Sequence, residues 1–377
     1  MRTDHCRSCG LSGEGWMERG KYLSMGIILV SSIILKLIVM MYLDGRVYYD
    51  VVKALNFGYL VHHQTFSIDA DIINSKTFLG PLIWFHIYRT GSLVGLQLFS
   101  LLVFVLLFVT VYALGKGRYG TRTIILALFL FAFYAGTNRN IAAGEPDDNI
   151  AALLFGLGVL LYLNTGRVFA SALLMGVAFL FKFWIAVFCG GFGIYLLTQR
   201  SLRPVWLAGI GMAVPFLLIN YVDGFQSMRS LVISLNVQKG ISPWQSVGFK
   251  LLSTGMIFSL LASAWTWFKR KNKTNTLFFI IPASYVLYIV LNRDGFAASF
   301  VMMQCLMFWS FLIAQFLLMP PVLGHGSFRA AVILVFCVAY LGVTTAITYQ
   351  HLYRDTVPLA LVKGQPEIES MFWHRKL

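Results

Sequence analysis

The chain has 377 residues, of which 58% are hydrophobic and only 12% are charged, and its mean hydropathy is +0.74. Soluble domains carry about 25% charged residues, so this composition excludes an ordinary soluble protein and predicts an all-α polytopic membrane protein. The net charge is +15, but no basic segment with interleaved aromatic residues points to a nucleic-acid partner.

Apolar runs long enough to cross a bilayer, which takes about 20 residues, occur along the whole chain. They predict ten or eleven spans, and eleven if residues 168–198 form two helices that turn at the membrane surface near Lys182. In the first outer loop, 44–90, the weakly apolar stretches 47–60 and 77–88 predict helices that lie in the membrane interface. The expected spans are roughly 23–43, 91–114, 121–138, 148–164, 168–181, 183–198, 204–221, 250–268, 275–292, 296–319 and 330–349.

The distribution of charge predicts the topology. Short connections near residues 116–122, 167, 200–203, 269–273 and 329 carry Lys and Arg but no acid, which the positive-inside rule assigns to the cytoplasm. The N-terminus is then inside and the C-terminus outside, and most acids fall on the outer face.

Three regions follow from this topology. Residues 1–22 are expected to be a cytoplasmic tail, 23–349 the transmembrane domain and 350–377 an outer tail. No small-residue cleavage site follows the first apolar run, so that run is expected to be an uncleaved anchor.

Asp44 and Asp50 follow directly on the first apolar run. A carboxylate at the edge of a low-dielectric region binds its proton more tightly, which suits a general base. Tyr48 lies four residues after Asp44, and on a helix the two side chains would share a face. From these residues alone, an ordinary acid in contact with water and headgroups is an equally good interpretation.

A second acidic group, Glu145, Asp147 and Asp148, lies at the outer start of a predicted span. A helix N-terminus favours negative charge, but capping explains one or two acids, so three suggest a binding site.

Cations accompany these acids. Lys182 lies between two apolar helices, where it either reaches the surface or meets an anion. Arg139 and Arg293 are further cations of the outer face, and Lys36 lies inside the first span, where it is expected to face other helices or a cavity.

Metal-binding patterns are weak. His5, Cys6 and Cys9 supply three zinc ligands where a closed site needs four, so a flexible tail is the alternative interpretation. Asp69 and Asp71 form a D-x-D pattern that leaves a divalent cation open. No cofactor is required by the sequence, and no metal site is predicted.

Several features resemble the polyprenyl-phosphate-sugar-dependent glycosyltransferases with the GT-C fold, especially their bacterial mannosyltransferase-like branch. The similar segments are Asp44 followed by VYY (47–49), KAL (53–55) and FGYL (57–60), then FLGPLIWFHIYR (78–89), AAGEPDDNIAALLFGLGVLLYL (142–163) and GRVFASALLMGVAFLFKFWIAVFCGGFGIYLLTQR (166–200). The likeness covers roughly residues 23–222, and Gly58 lacks the Pro-Tyr pair that follows it in the family.

The resemblance implies a GT-C-like bundle of about 11 helices in the plasma membrane. It implies an inverting transfer of sugar on the extracytoplasmic face, from a polyprenyl-phosphate donor to a glycan, lipid or protein acceptor. Asp44 would be the general base, with Asp50 as the second choice and Tyr48 beside it.

The resemblance also implies roles for the remaining polar residues. Lys182, and then Arg293 or Arg139, would hold the donor phosphate. Asp50, Tyr48, Glu145, Asp147 and Asp148 would bind the sugar or the acceptor.

Other classes of function remain open at this point. A transporter or flippase of a lipid-linked or anionic substrate would place charges near the membrane midplane, where only Lys36 lies. A non-catalytic scaffold would be indifferent to replacement of Asp44.

Overall fold

The computed structural model describes residues 11–43, 46–48, 55, 79–142, 147–199, 201–222, 224–225, 227–229, 231–232, 243–293, 297–319 and 327–358. These residues are almost all helical. The long helices are α1 (Leu11–Leu43), α2 (Leu79–Gly115), α5 (Asp147–Thr165), α8 (Arg203–Val222), α11 (Lys273–Asn292), α12 (Ala297–Leu318) and α13 (Ser327–Asp355). The shorter helices are α3 (Thr121–Ala132), α4 (Ala135–Ala142), α6 (Val168–Phe181), α7 (Ile185–Leu197), α9 (Trp244–Ser253) and α10 (Met256–Lys269), and the strands are β1 (Arg46–Tyr48) and β2 (Thr356–Pro358).

Within the described residues, seven helices are long and apolar enough to cross a membrane, or eight if the bent pair α9 and α10 forms one span. Helices α3, α6 and α7 are apolar but have only 12, 14 and 13 residues. Fourteen residues extend about 21 Å, against about 30 Å of hydrocarbon. The structure therefore confirms an all-helical polytopic membrane protein, and the count of eleven spans stays a prediction.

Helix α2 is folded back on itself. Ser92 has φ 57° and ψ −162°, a region of backbone space that is essentially restricted to glycine and is strained for other residues. The rings of Trp84 and Phe99 lie 5.7 Å apart, whereas fifteen residues of straight helix would separate them by about 22 Å. Residues 79–91 therefore pack against the part of α2 that follows Ser92.

The break between α3 and α4 is stabilised by side chains from other helices. Lys36 of α1 is fully buried and donates hydrogen bonds to the Ala132 carbonyl and to Asn138 Oδ1, both at 2.9 Å. Thr348 of α13 donates to the Ala135 carbonyl at 3.4 Å. The bond from Lys36 satisfies the Ala132 carbonyl, which ends α3 and has no donor from its own helix. Ala132 and Asn138 are the partners of Lys36 that the sequence leaves unnamed.

Small residues set the closest helix contacts. A Cβ added to Gly176 of α6 would lie 2.6 Å from the Met212 carbonyl of α8, and one added to Gly211 would lie 2.8 Å from the Phe169 carbonyl. Glycine lets the two backbones approach to this distance, as is common between membrane helices. Helix α12 is central, because 89% of its apolar window, Val301–Leu318, is buried.

The strands β1 and β2 pair antiparallel, with Val47 opposite Val357. They join the segment after α1 to the segment after α13, so these segments lie on the same side of the bundle. The interfacial helix predicted for 47–60 is wrong at its start, because residues 46–48 are extended. The helical spacing assumed between Asp44 and Tyr48 is wrong for the same reason.

Candidate functional site

Several helix ends meet on one side of the bundle. Lys21 and Lys36 of α1 lie over the rings of Tyr112 and Phe104 of α2, respectively, so α1 and α2 run in opposite directions. The short connection 116–120 then returns the chain, so that α3 runs parallel to α1 and ends beside Lys36. The end of α1 and the part of α2 that directly follows Ser92 therefore lie at the same end of the bundle.

The starts of α2 and α5 also lie together. Trp84 contacts Asp147 near the start of both helices, and a Cβ on Gly156 would lie 3.2 Å from Thr110 of α2 deeper in the bundle. Because Trp84 lies beside Phe99, these contacts show that α5 runs in the same direction as the part of α2 that follows Ser92. The first turn of α5, with Asp147 and Asp148, belongs to the same end of the bundle as the end of α1.

An ion pair joins α5 to the end of α6. The Lys182 ammonium lies 3.1 Å from Asp148 Oδ1, and the side chains are 12% and 4% exposed. Lys182 follows the last residue of α6 and has an extended backbone, φ −152° and ψ 116°, so its side chain leaves the helix at the break before α7. This position confirms two helices, and not one, over residues 168–198.

Asp147 is held by a tryptophan. The Trp84 indole N–H donates a hydrogen bond to the Asp147 carboxylate, and Trp84 is only 1% exposed. Its ring lies 6.2 Å from that of Phe181 at the end of α6. A Cβ on Gly80 would lie 3.0 Å from Asp147 Oδ1, so glycine is needed here for the folded-back part of α2 to approach the carboxylate.

Asn149 is the third buried polar residue in the first turn of α5. It is fully buried, and neither atom of its amide head has a hydrogen-bond partner among the described residues. An unsatisfied buried polar group costs about 1–3 kcal/mol, and such groups are rare outside sites that bind water or a ligand.

The antiparallel register of α7 and α11 locates Arg293. Ser284 donates to the Val187 carbonyl at 3.1 Å, and the rings of Trp184 and Tyr288 lie 5.9 Å apart. Extending this register places Lys182 level with residue 290, so Arg293 lies about one helical turn beyond Lys182 at the same end of the bundle.

Arg293 is exposed and stacks on Trp244, the first residue of α9. The centre of its guanidinium lies 4.7 Å from the centroid of the Trp244 ring. Arg293 ends α11 in the left-handed region, with φ 52° and ψ 36°, where glycine or asparagine is usual.

Hydrogen bonds and ring stacking join the helix ends at the opposite end of the bundle. The Tyr119 hydroxyl donates to Asn275 Oδ1 at 2.8 Å, and its ring stacks on Phe311 at 5.0 Å. Burial raises the pKa of Tyr119 above its ordinary value, so the hydroxyl stays a neutral donor. The described connections at this end, 116–120, 166–167 and 270–272, carry basic residues and no acid.

The structure places the predicted site residues as follows. It pairs Asp148 with Lys182 and brings Asp147 and Arg293 to the same end of the bundle. Asp44, Asp50 and Glu145 lie outside the described residues, as do the side chains of Tyr48 and Arg139. The backbone of Tyr48 belongs to β1 and that of Arg139 to α4, and the roles of these residues stay predictions.

Sequence reasoning missed Trp84, Trp244 and Asn149. The chain has 15% aromatic residues, so two tryptophans in apolar runs carry no distinguishing signal. Asn149 follows two acids and resembles an ordinary polar residue of a helix start. No three His, Cys, Asp or Glu side chains lie together in the described part of the chain.

The helices and the polar residues at one end of them define the class: this is an all-helical, multi-pass membrane protein with a charged cluster where several helix ends meet. No known protein-family model matches the chain, and no curated protein is significantly similar to it.

Proposed function

We propose that this protein is an integral membrane glycosyltransferase that moves a sugar from a polyprenyl-phosphate donor to an acceptor at the membrane surface. The observation that carries the proposal is the Asp148–Lys182 pair at the helix ends. It provides an ammonium beside buried acids at the boundary of an apolar bundle, where a lipid-linked anionic substrate would present its headgroup.

In the proposed reaction, the acceptor hydroxyl attacks the anomeric carbon while the bond from that carbon to the phosphate oxygen breaks. The hydroxyl proton passes to Asp44, the configuration inverts and polyprenyl phosphate leaves. Asp44 directly follows α1, whose end lies on the same side of the bundle as Asp148 and Lys182. This shared location supports Asp44 as the base.

The cations of this end would stabilise the negative charge that develops on the leaving phosphate. Lys182 and Arg293 are the described candidates, and Arg139 is a third. The buried acids Asp147 and Asp148, together with Glu145, Asp50 and Tyr48, would bind sugar or acceptor hydroxyls. A divalent cation is not required by this scheme.

The direct test is to incubate purified protein with a panel of polyprenyl-phosphate sugars and to measure released polyprenyl phosphate. Asp44→Asn keeps the side-chain size and removes basicity, so transfer should fall about 10²–10⁴-fold while donor binding remains. Asp50→Asn is the comparison variant, because Asp50 is the second choice for the base. Normal transfer by Asp44→Asn together with loss in Asp50→Asn would move the base to Asp50.

The site is proposed to face the outside of the plasma membrane, with the N-terminus inside, the C-terminus outside and eleven spans. Basic, acid-free connections at the opposite end support this orientation. A cysteine replacing Lys271 should resist a membrane-impermeant thiol reagent in intact cells, and one replacing Gln365 should react. The reverse labelling pattern would contradict an outer site.

A transporter or flippase of a lipid-linked anion is the second candidate function. It is favoured by the interrupted helix α3–α4 with buried Lys36 at the break, since broken helices are common in transporters. Movement of labelled lipid across proteoliposomes without release of polyprenyl phosphate would select it over the glycosyltransferase.

A further inference from the structure

Two cations lie at the same end of the α7–α11 pair, but their surroundings differ. Lys182 is 12% exposed and already paired with Asp148. A phosphate that reaches Lys182 must either bind the ammonium together with this carboxylate or displace the carboxylate from it. Arg293 is exposed, and within the described part of the chain its guanidinium contacts the ring of Trp244 and no carboxylate.

The contact with Trp244 orients Arg293 for an anion. The guanidinium carbon lies 4.7 Å from the centroid of the indole ring, within the range of a cation–π contact, and arginine has five N–H donors in a fixed geometry. These donors fit the oxygens of a phosphate in a bidentate geometry. The tryptophan therefore restrains the side chain without using its hydrogen bonds.

The backbone supports a specific role for this arginine. Arg293 occupies a left-handed position at the end of α11, where a residue other than glycine or asparagine is uncommon and strained. Helix α9 reaches it because α9 and α10 are bent by 67° at Gly255, which has φ 72°. The bend thus brings Trp244 over Arg293.

We propose that Arg293, stacked on Trp244, is the principal phosphate-binding group of the site and that Trp244 is its positioning residue. The ligand class is a lipid phosphate ester, and its assignment to the sugar donor rests on the proposed function. Lys182 then acts second, on a phosphate that Arg293 already holds.

The test measures binding of a short-chain polyprenyl phosphate to the purified full chain in neutral detergent at low salt. Arg293→Gln should weaken binding about 10-fold or more, because it removes charge-assisted hydrogen bonds. Trp244→Leu should weaken it several-fold, and Trp244→Phe, which keeps a ring, should restore most of it. Arg293→Gly suits the left-handed backbone, so it should lose binding while it keeps the thermal stability of the wild type.

The matched control is the pair formed by Lys269 and Trp265, whose ammonium lies 5.3 Å from the ring at the other end of α10. Lys269→Gln should leave phosphate binding unchanged. Binding by Arg293→Gln and Arg293→Gly within twofold of the wild type would overturn the proposal, as would equal losses in Lys269→Gln.

Competition between ligands tests the phosphate-binding role of Arg293 separately from the proposed glycosyltransferase function. Inorganic phosphate and phosphatidylglycerol should compete more weakly than polyprenyl phosphate. If phosphatidylglycerol competes equally and in an Arg293-dependent manner, the phosphate site stands and the sugar-donor assignment fails. If sugar transfer occurs at a normal rate in Arg293→Gln, the proposed glycosyltransferase function is supported and the phosphate-binding role of Arg293 is refuted.

Discussion

Replacement of Lys36 tests what holds the broken helix α3–α4 together. Its ammonium donates to the Ala132 carbonyl and to Asn138 Oδ1, each at 2.9 Å, and lies 3.9 Å from the centroid of the Phe104 ring. Lys36→Met fills a similar volume with a flexible apolar side chain. It also leaves two buried oxygen acceptors without this donor.

Two opposing effects decide the outcome. Each orphaned acceptor costs about 1–3 kcal/mol, and loss of the contact with Phe104 adds about 1–2 kcal/mol. Removal of a buried charge relieves a desolvation penalty of several kcal/mol. Because two hydrogen bonds of ordinary length and the contact with Phe104 are lost together, we expect the first effect to prevail and Lys36→Met to lower the free energy of unfolding by about 1–4 kcal/mol.

The assay is reversible unfolding of the purified protein in mixed micelles. Lys36→Gln keeps one donor group and should fall between the wild type and Lys36→Met. The control is Leu37→Met at the next position, which is 39% exposed and should change stability by less than about 0.5 kcal/mol. A Lys36→Met variant as stable as the wild type, or more stable, would show that desolvation outweighs the hydrogen bonds.

Two further changes test the packing and the strand pairing. Gly176→Val should destabilise the protein by about 1–3 kcal/mol or more, because even a Cβ would lie 2.6 Å from the Met212 carbonyl. Gly190→Val is the control and should be nearly neutral, because nothing lies within 4 Å of its added Cβ. A thermal melt of each variant measures the difference. Cysteines replacing Val47 and Val357 should form a disulfide under mild oxidation, because directly opposed antiparallel residues lie within disulfide range; failure to crosslink in the folded protein would contradict the register of β1 and β2.

The positions of the helices could be predicted from the sequence, but their breaks could not. Apolar runs of about 20 residues are imposed by the thickness of the bilayer, and the described helices begin and end near the predicted limits in most cases. The reversal at Ser92 and the gap between Ala132 and Ala135 carry no proline. They are fixed by tertiary contacts, of Trp84 and Lys36 respectively, and such contacts leave no local pattern.

The candidate site was predictable in its charged residues and not in their pairing. Asp148 and Lys182 stand out because ionisable groups are costly in apolar segments, but they are 34 positions apart on different helices. Only the packing of α5 against α6 brings them to 3.1 Å. Trp84 donates a hydrogen bond to Asp147 and Trp244 lies under the Arg293 guanidinium, and a sequence rich in aromatic residues gives no sign of either contact.

Lys36 and Lys182 show how one residue type takes two roles in the same bundle. Lys36 is fully buried and directs its bonds to a carbonyl and an amide oxygen, so in this arrangement it stabilises the break between α3 and α4. Lys182 keeps 12% exposure and pairs with a carboxylate, so its partner can be exchanged for another anion. Because that exchange would remove an ion pair from a carboxylate that is only 4% exposed, Lys182 suits the second role proposed for it, on a phosphate held by Arg293, better than capture of a phosphate from the membrane surface.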